Sequence, residues 1–395
     1  MIDFTSDQDF ASDQDWSFPV PIKYGAGRIK ELPQLCLDQG MTKPFLVTDK
    51  GSADLPFISA IMADLKAAGM AASLYSDISP NPRDDEILAG RQHYLDGRHD
   101  GVIAVGGGSG MDGGKAISLT VNNSHDIWAF EWEKTPPEID PNHPFPPLIC
   151  IPTTAGTGAE TESTAMVTDT KLMMKWCIVH PLQKPVAVIL DPELTFGLPA
   201  NLTAWTGVDA LVHAIEGYVV DDFHPLCDGA ALEGMRLIYP NLPVVYDQPH
   251  HLEARGAMLV GSCLAGVSFI KGLGLVHAIS HMVGAEYDTH HGLTNAVILP
   301  VVLRYNADVI APKIPNMTHV MGLAEHHFDS FYGAVCDLLD QCDIPKNLSD
   351  LGVPDDAITR LAEKTMKDSA YGTNPKSSTQ ADIEAMIKEA LHHGR

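Results

Sequence analysis

Basic residues are scarce in this chain: 26 Lys and Arg stand against 51 Asp and Glu, a formal net charge of −25. A surface that negative repels nucleic-acid phosphates and anionic membrane surfaces, so neither is expected as a partner. No uninterrupted apolar run approaches the ~18 residues that span a bilayer. The opening stretch, MIDFTSDQDFASDQDW, lacks both the basic n-region and the apolar h-region of a secretory signal. Its doubled SDQD, at 6–9 and 12–15, reads as part of a flexible acidic arm over residues 1–18. Cysteines number only seven and are scattered, which argues against a disulfide framework and fits free thiols in a reducing cytoplasm. No repeat of solenoid period is visible.

What is present is ordered alternation. PFLVTDKG (44–51) reads as a strand ending in Asp49, and FISAIMADLKAAG (57–69) has helical spacing with Gly69 as its stop. AASLYSDI (71–78) is strand-like and 84–98 helical. GVIAVGGGS (101–109) and LICIPTTAGTG (148–158) each run an apolar strand into a small-residue turn. Strand and helix in turn predict a parallel α/β sheet of Rossmann type. Beyond DPELTFGLP (191–199) long helical patterns dominate, so the expected plan is an α/β unit over 1–198 and an all-helical unit over 199–395.

The segment GGGSGMDGGKAI (106–117) places glycines between a strand and a helix start, where backbone N–H groups can approach a pyrophosphate. Gly108, Gly110 and Gly113 satisfy GxGxxG, a weak match alone in a chain with 33 glycines. PTTAGTGAE (152–160) follows a second strand, and both loops should line one carboxyl-end crevice. Thr153, Thr154 and Thr157 offer hydroxyls to phosphate or ribose. Asp49 would accept from ribose hydroxyls and repel a 2′-phosphate, which favours NAD over NADP.

In TGVDALVHAIEGY (206–218), Asp209 and His213 are four residues apart and share a helical face. GLGLVHAISHMVGAEYDTHHG (272–292) adds His277, His281, His290 and His291 within 15 residues. One such histidine is most often a surface or core residue; the cluster points to a metal. Imidazoles with a carboxylate and no thiolate suit a divalent first-row ion, Fe²⁺ or Zn²⁺.

With these motifs in order, together with PIKYGAG (21–27), PNP (80–82) and ILDPEL, the chain resembles the iron-containing (group III) alcohol dehydrogenases across roughly residues 20–310. The resemblance implies a dehydroquinate synthase-like two-domain architecture and metal ligation by Asp209, His213, His277 and His291. It implies cofactor contacts at Asp49, Asn81, Gly107, Gly108, Ser109, Asp112, Thr153, Thr154, Thr157 and Lys175. His281 would lie near the nicotinamide as a catalytic proton relay. Departures from the family pattern are His290 directly before the last ligand, Met282 after the middle histidine, and Glu162-Ser163 beyond GTGAE.

The implied activity is interconversion of a primary alcohol or small diol with its aldehyde by hydride transfer, in a homodimer or higher homo-oligomer. Two rivals remain at this point. One is a metal-dependent lyase or cyclase of the dehydroquinate-synthase type, against which the four-ligand pattern and sparse basic residues speak. The other is a non-catalytic metal- and nucleotide-binding protein.

Overall fold

A computed structural model describes residues 20–395; the acidic arm read over 1–18 lies outside the described residues. The described residues open with β1 (Ile22–Tyr24) and α1 (Leu32–Asp38), followed by β2 (Pro44–Asp49), α2 (Pro56–Ala67), β3 (Ser73–Ile78), α3 (Asp84–Gly97), β4 (Gly101–Gly106) and α4 (Gly108–Thr120). Then come β5 (Leu148–Pro152), an antiparallel hairpin of β6 (Thr164–Asp169) and β7 (Met174–Val179), and β8 (Ala187–Leu190). The six other strands form one parallel sheet in the order β1-β8-β5-β4-β2-β3.

Strand residues alternate faces, and each face has its own cover. Leu46, Ile103, Val105, Ile149, Ile151 and Ile189 pack with Leu35 of α1 and Ile58, Ile61 and Leu65 of α2. The opposite residues Phe45, Val47, Val102, Ala104, Cys150 and Val188 pack toward α3 and α4 and join the core of the C-terminal half. Strands buried on both faces carry near-continuous apolar runs, which is why LICIP and GVIAV lack polar alternation. Helix α2 ends as its sequence suggests, with Gly69 in the left-handed region at φ 81°.

From α5 (Ala200–Val219) onward the regular elements are helical among the described residues: α6 (Pro225–Asp247), α7 (Leu252–Ser268), α8 (Leu275–Tyr287), α9 (His291–Ile310), α10 (Ile314–Val320), α11 (Phe328–Gln341), α12 (Ile358–Thr365) and α13 (Gln380–His392), with short 3₁₀ turns between them. Two spans, Leu252–Lys271 and His291–Ile310, are long and apolar enough to cross a membrane by length and composition, but 67% of each is buried inside the protein. They serve as core helices. The hairpin β6–β7 is an element that the alternation of strand and helix does not announce. It packs against α4 and α8, and so stands where the two halves meet.

Candidate metal centre and nucleotide crevice

The chain runs from β2 to β3 on one side of the sheet and from β2's other neighbour, β4, outward to β5. The carboxyl ends of β2 and β4 therefore flank a topological switch point, the usual location of a ligand crevice in an open parallel sheet. Asp49 closes β2, and its carboxylate accepts from the backbone N–H and hydroxyl of Ser52 at 3.0 and 2.8 Å. Gly107 precedes α4, whose first-turn N–H groups open onto the same crevice.

Glycine is needed here for close approach. A Cβ on Gly110 would fall 2.6 Å from the Val105 carbonyl oxygen, so α4 can start this near β4 only without a side chain. The two small-residue loops face one another. A Cβ on Gly107 would meet Thr154 at 3.2 Å, and one on Gly108 would meet Thr157 at 2.6 Å. Thr153 is buried, and the Thr154 hydroxyl is buried without a protein partner. Ser109 is half-buried and spends its hydroxyl on the Pro80 carbonyl, 2.6 Å away, tying the glycine loop to the Asn81 turn.

Asn81 joins three parts of the fold. Its amide donates to Asp288 after α8 at 2.7 Å, and its oxygen accepts from Lys175 of β7 at 3.3 Å. Burial lowers the Lys175 pKa, opposed by nearby Asp112, Asp209, Asp368 and Asp288. Burial likewise pushes the Asp112 carboxyl up to about 6, with Lys115 and Lys175 working against the shift. The hairpin thus carries a buried lysine toward the candidate metal centre.

Asp209 and His213 of α5, His277 of α8 and His291 at the start of α9 offer ligand atoms that all lie within 4.8 Å of one another. The Nε2 atoms of His277 and His291 are 3.9 and 3.7 Å from the Asp209 carboxylate. Ligands ~2.1 Å from one four-coordinate ion stand about 3.4 Å apart, so the set is near the required size. Asp209 is only 1% exposed and has no Lys or Arg at ion-pair distance among the described residues; its close donor is the neutral Asn295 amide at 2.7 Å. A carboxylate buried in that way is electrostatically incomplete without a cation. The donor chemistry fits a divalent metal.

The imidazoles are suited to the same task. Burial lowers the His213 pKa to about 4, and burial with Lys175 and neighbouring histidines holds His291 well below its ordinary value. Both are neutral bases at pH 7, as metal ligation requires. The double histidine resolves by geometry. His290 caps α9, accepting from the Leu293 N–H at 3.4 Å with its ring 5.0 Å from Trp205, while His291 turns into the cluster.

His281 follows His277 by four residues on α8 and stacks on the His291 ring at 5.3 Å. Its Nδ1 meets the Asp368 carboxylate at 2.9 Å. It is absent from the four-residue ligand set. Sequence reasoning missed Asp368, which reaches the site from 87 residues away, and Asn295, whose amide nitrogen is 3.1 Å from Nε2 of both His277 and His291. It also missed Glu216, although Asp209, His213 and Glu216 follow i, i+4, i+7 spacing and share one helical face.

A crevice at a sheet switch point beside a helical unit carrying three imidazoles and a carboxylate is the plan of a metal- and dinucleotide-dependent enzyme. Models of the iron-containing alcohol dehydrogenase family match residues 19–192 and those of its C-terminal part match 203–391, so the chain belongs to that family. It is 33% identical over 386 residues to the 1,3-propanediol dehydrogenase of Citrobacter freundii, covering 95% of this chain and 98% of that protein. The crystal structure of a 1,3-propanediol oxidoreductase superposes with a TM-score of 0.90 at 32% identity, over 96% of this chain and 100% of the other. A sulfoacetaldehyde reductase from Bifidobacterium kashiwanohense, solved in complex with NAD⁺, gives 0.85 at 28% identity, over 97% and 100%. The chain is an alcohol and aldehyde oxidoreductase using iron and NAD.

Proposed function

We propose that this enzyme interconverts a primary alcohol or small diol with its aldehyde, with Asp209, His213, His277 and His291 as the iron ligands. The observation that carries this reading is the convergence of those four side chains from three helices beside the crevice. A bound ferrous ion supplies Lewis acidity that lowers the pKa of an alcohol hydroxyl.

The chain's own groups do the rest. The N–H groups at the start of α4, with Gly107, Gly108 and Ser109, hold the pyrophosphate; Thr153, Thr154 and Thr157 line the opposite loop. Asp49 accepts from the adenosine ribose and disfavours a 2′-phosphate. Asn81, Lys175 and Asp112 border the nicotinamide end. His281, held by Asp368, moves the hydroxyl proton toward solvent.

The division at 198/199 fits this work: the α/β unit, residues 1–198, holds the nucleotide and the helical unit, 199–395, holds the metal. A homodimer or higher homo-oligomer is supported by β1, which among the described residues pairs only with β8 and leaves Ile22 and Tyr24 exposed on an edge strand. The net charge of −25 speaks against nucleic-acid or membrane partners, and the free cysteines suit the cytoplasm. The test is NADH formation by anaerobically iron-loaded protein over a panel of primary alcohols and diols. Turnover on at least one member is expected; none on any alcohol, with none on the matching aldehydes and NADH, would reject the reading.

A further inference from the structure

Glu216 is a carboxylate only 4% exposed, and its hydrogen-bond partners are two backbone N–H groups and one imidazole nitrogen. Its Oε1 accepts from the Val276 backbone at 2.8 Å, and its Oε2 from the His277 backbone at 3.4 Å. The shortest contact, 2.6 Å, joins Oε2 to Nδ1 of the His277 ring. Val276 and His277 lie in the first turn of α8, where backbone N–H groups have no partner inside the helix. The residue before that turn, Gly274, has no side chain to cap them. Glu216 does so from the neighbouring helix, and the positive end of α8 favours an anion there.

The arrangement allows little else at this spot. A Cβ on Gly274 would fall 2.7 Å from Glu216 Oε1, so the glycine is what lets the carboxylate reach the helix start. A carboxylate only accepts, so the His277 proton belongs on Nδ1 and the Nε2 lone pair faces Asp209 and His291. We propose that Glu216 is a positioning residue of the metal centre: it fixes the tautomer and ring orientation of His277 that present Nε2 to the ion, while anchoring the helix that carries this ligand. The inference rests on His277 being a ligand, as argued above.

Zn²⁺ titrated into the metal-stripped full chain, in competition with a chromophoric chelator, tests it. Glu216→Gln can still accept from Val276 but turns an NH₂ toward Nδ1, which favours the opposite tautomer with a proton on Nε2. Zn²⁺ affinity is expected to fall about 10–100-fold. Glu216→Asp, which keeps a carboxylate, is expected to recover part of that loss. Unchanged affinity in a folded Glu216→Gln protein, alongside a large loss in His277→Ala, would overturn the role of Glu216 alone. Unchanged affinity in His277→Ala would instead reject the ligand assignment beneath it.

A measurement on the wild-type protein decides the matter even if the Glu216 variants do not fold. In metal-free protein carrying ¹⁵N-histidine, the resonances missing from His277→Asn identify the ring. Protonated Nδ1 with bare Nε2 is expected; a proton on Nε2 would overturn the proposal. A purely architectural Glu216 would lower the melting temperature of both variants and leave Zn²⁺ affinity in the folded fraction untouched, which would also overturn it.

Discussion

The two halves of the proposed site are built by different means. The crevice at β2 and β4 is made chiefly of backbone: glycines that admit a helix start and N–H groups that face an anion. Even Ser109 uses its hydroxyl internally, on Pro80. The helical half works through side chains, four of them converging from α5, α8 and α9, with Glu216 and Asn295 bonded to members of the cluster and Asp368 to the neighbouring His281. Backbone recognition is shared across many amides, so single side-chain deletions cost little. A ligand cluster is as weak as its worst member.

His277→Ala should break the comparison most severely, removing one of the four proposed ligands. Metal content should fall and turnover drop about a thousandfold, since Lewis-acid stabilisation is worth several kcal/mol at 1.36 kcal/mol per decade. Metal analysis with steady-state kinetics checks this. Next in size, His281→Asn should retain the metal while kcat falls about a hundredfold and its pH profile shifts; a wild-type profile would exclude the relay.

On the nucleotide side the effects should shrink. Asp49→Ser should raise kcat/KM for NADP relative to NAD roughly tenfold, by removing one like-charge contact of about 1.4 kcal/mol. Ser109→Ala should weaken NAD binding less than about tenfold, because one hydrogen bond nets ~1 kcal/mol. A loss as large as that of His277→Ala would refute the backbone account.

The smallest effect lies where the halves meet. Burial pushes the Glu162 carboxyl up to about 7, against the pull of Lys115 and Lys184. Unfolded, the group titrates near 4.5, so between those values the folded state holds more protons and stability declines as pH rises. Glu162→Gln lacks this decline. Its melting temperature should gain on the wild type by about 2 °C from pH 5 to pH 8, read by scanning calorimetry.

Much of this was legible in local pattern. Buried strands such as GVIAV announce themselves by composition, and Asp209 with His213 by i, i+4 spacing, because both depend on contacts a few residues apart. The hairpin β6–β7 is less visible: neither strand joins the parallel sheet, and Lys175 becomes part of the site only when that hairpin lies against α8.

The order of motifs along the chain determined the class of fold, and it pointed to the glycine loop and to His213, His277, His281 and His291. Tertiary structure decided that His290 caps α9 while His291 turns inward, that Asp368 meets His281 across 87 residues, and that Glu216 reaches the start of α8. These choices depend on where separate helices cross. Spacing within one helix fixes a face; what that face meets is set by packing between elements far apart in the chain.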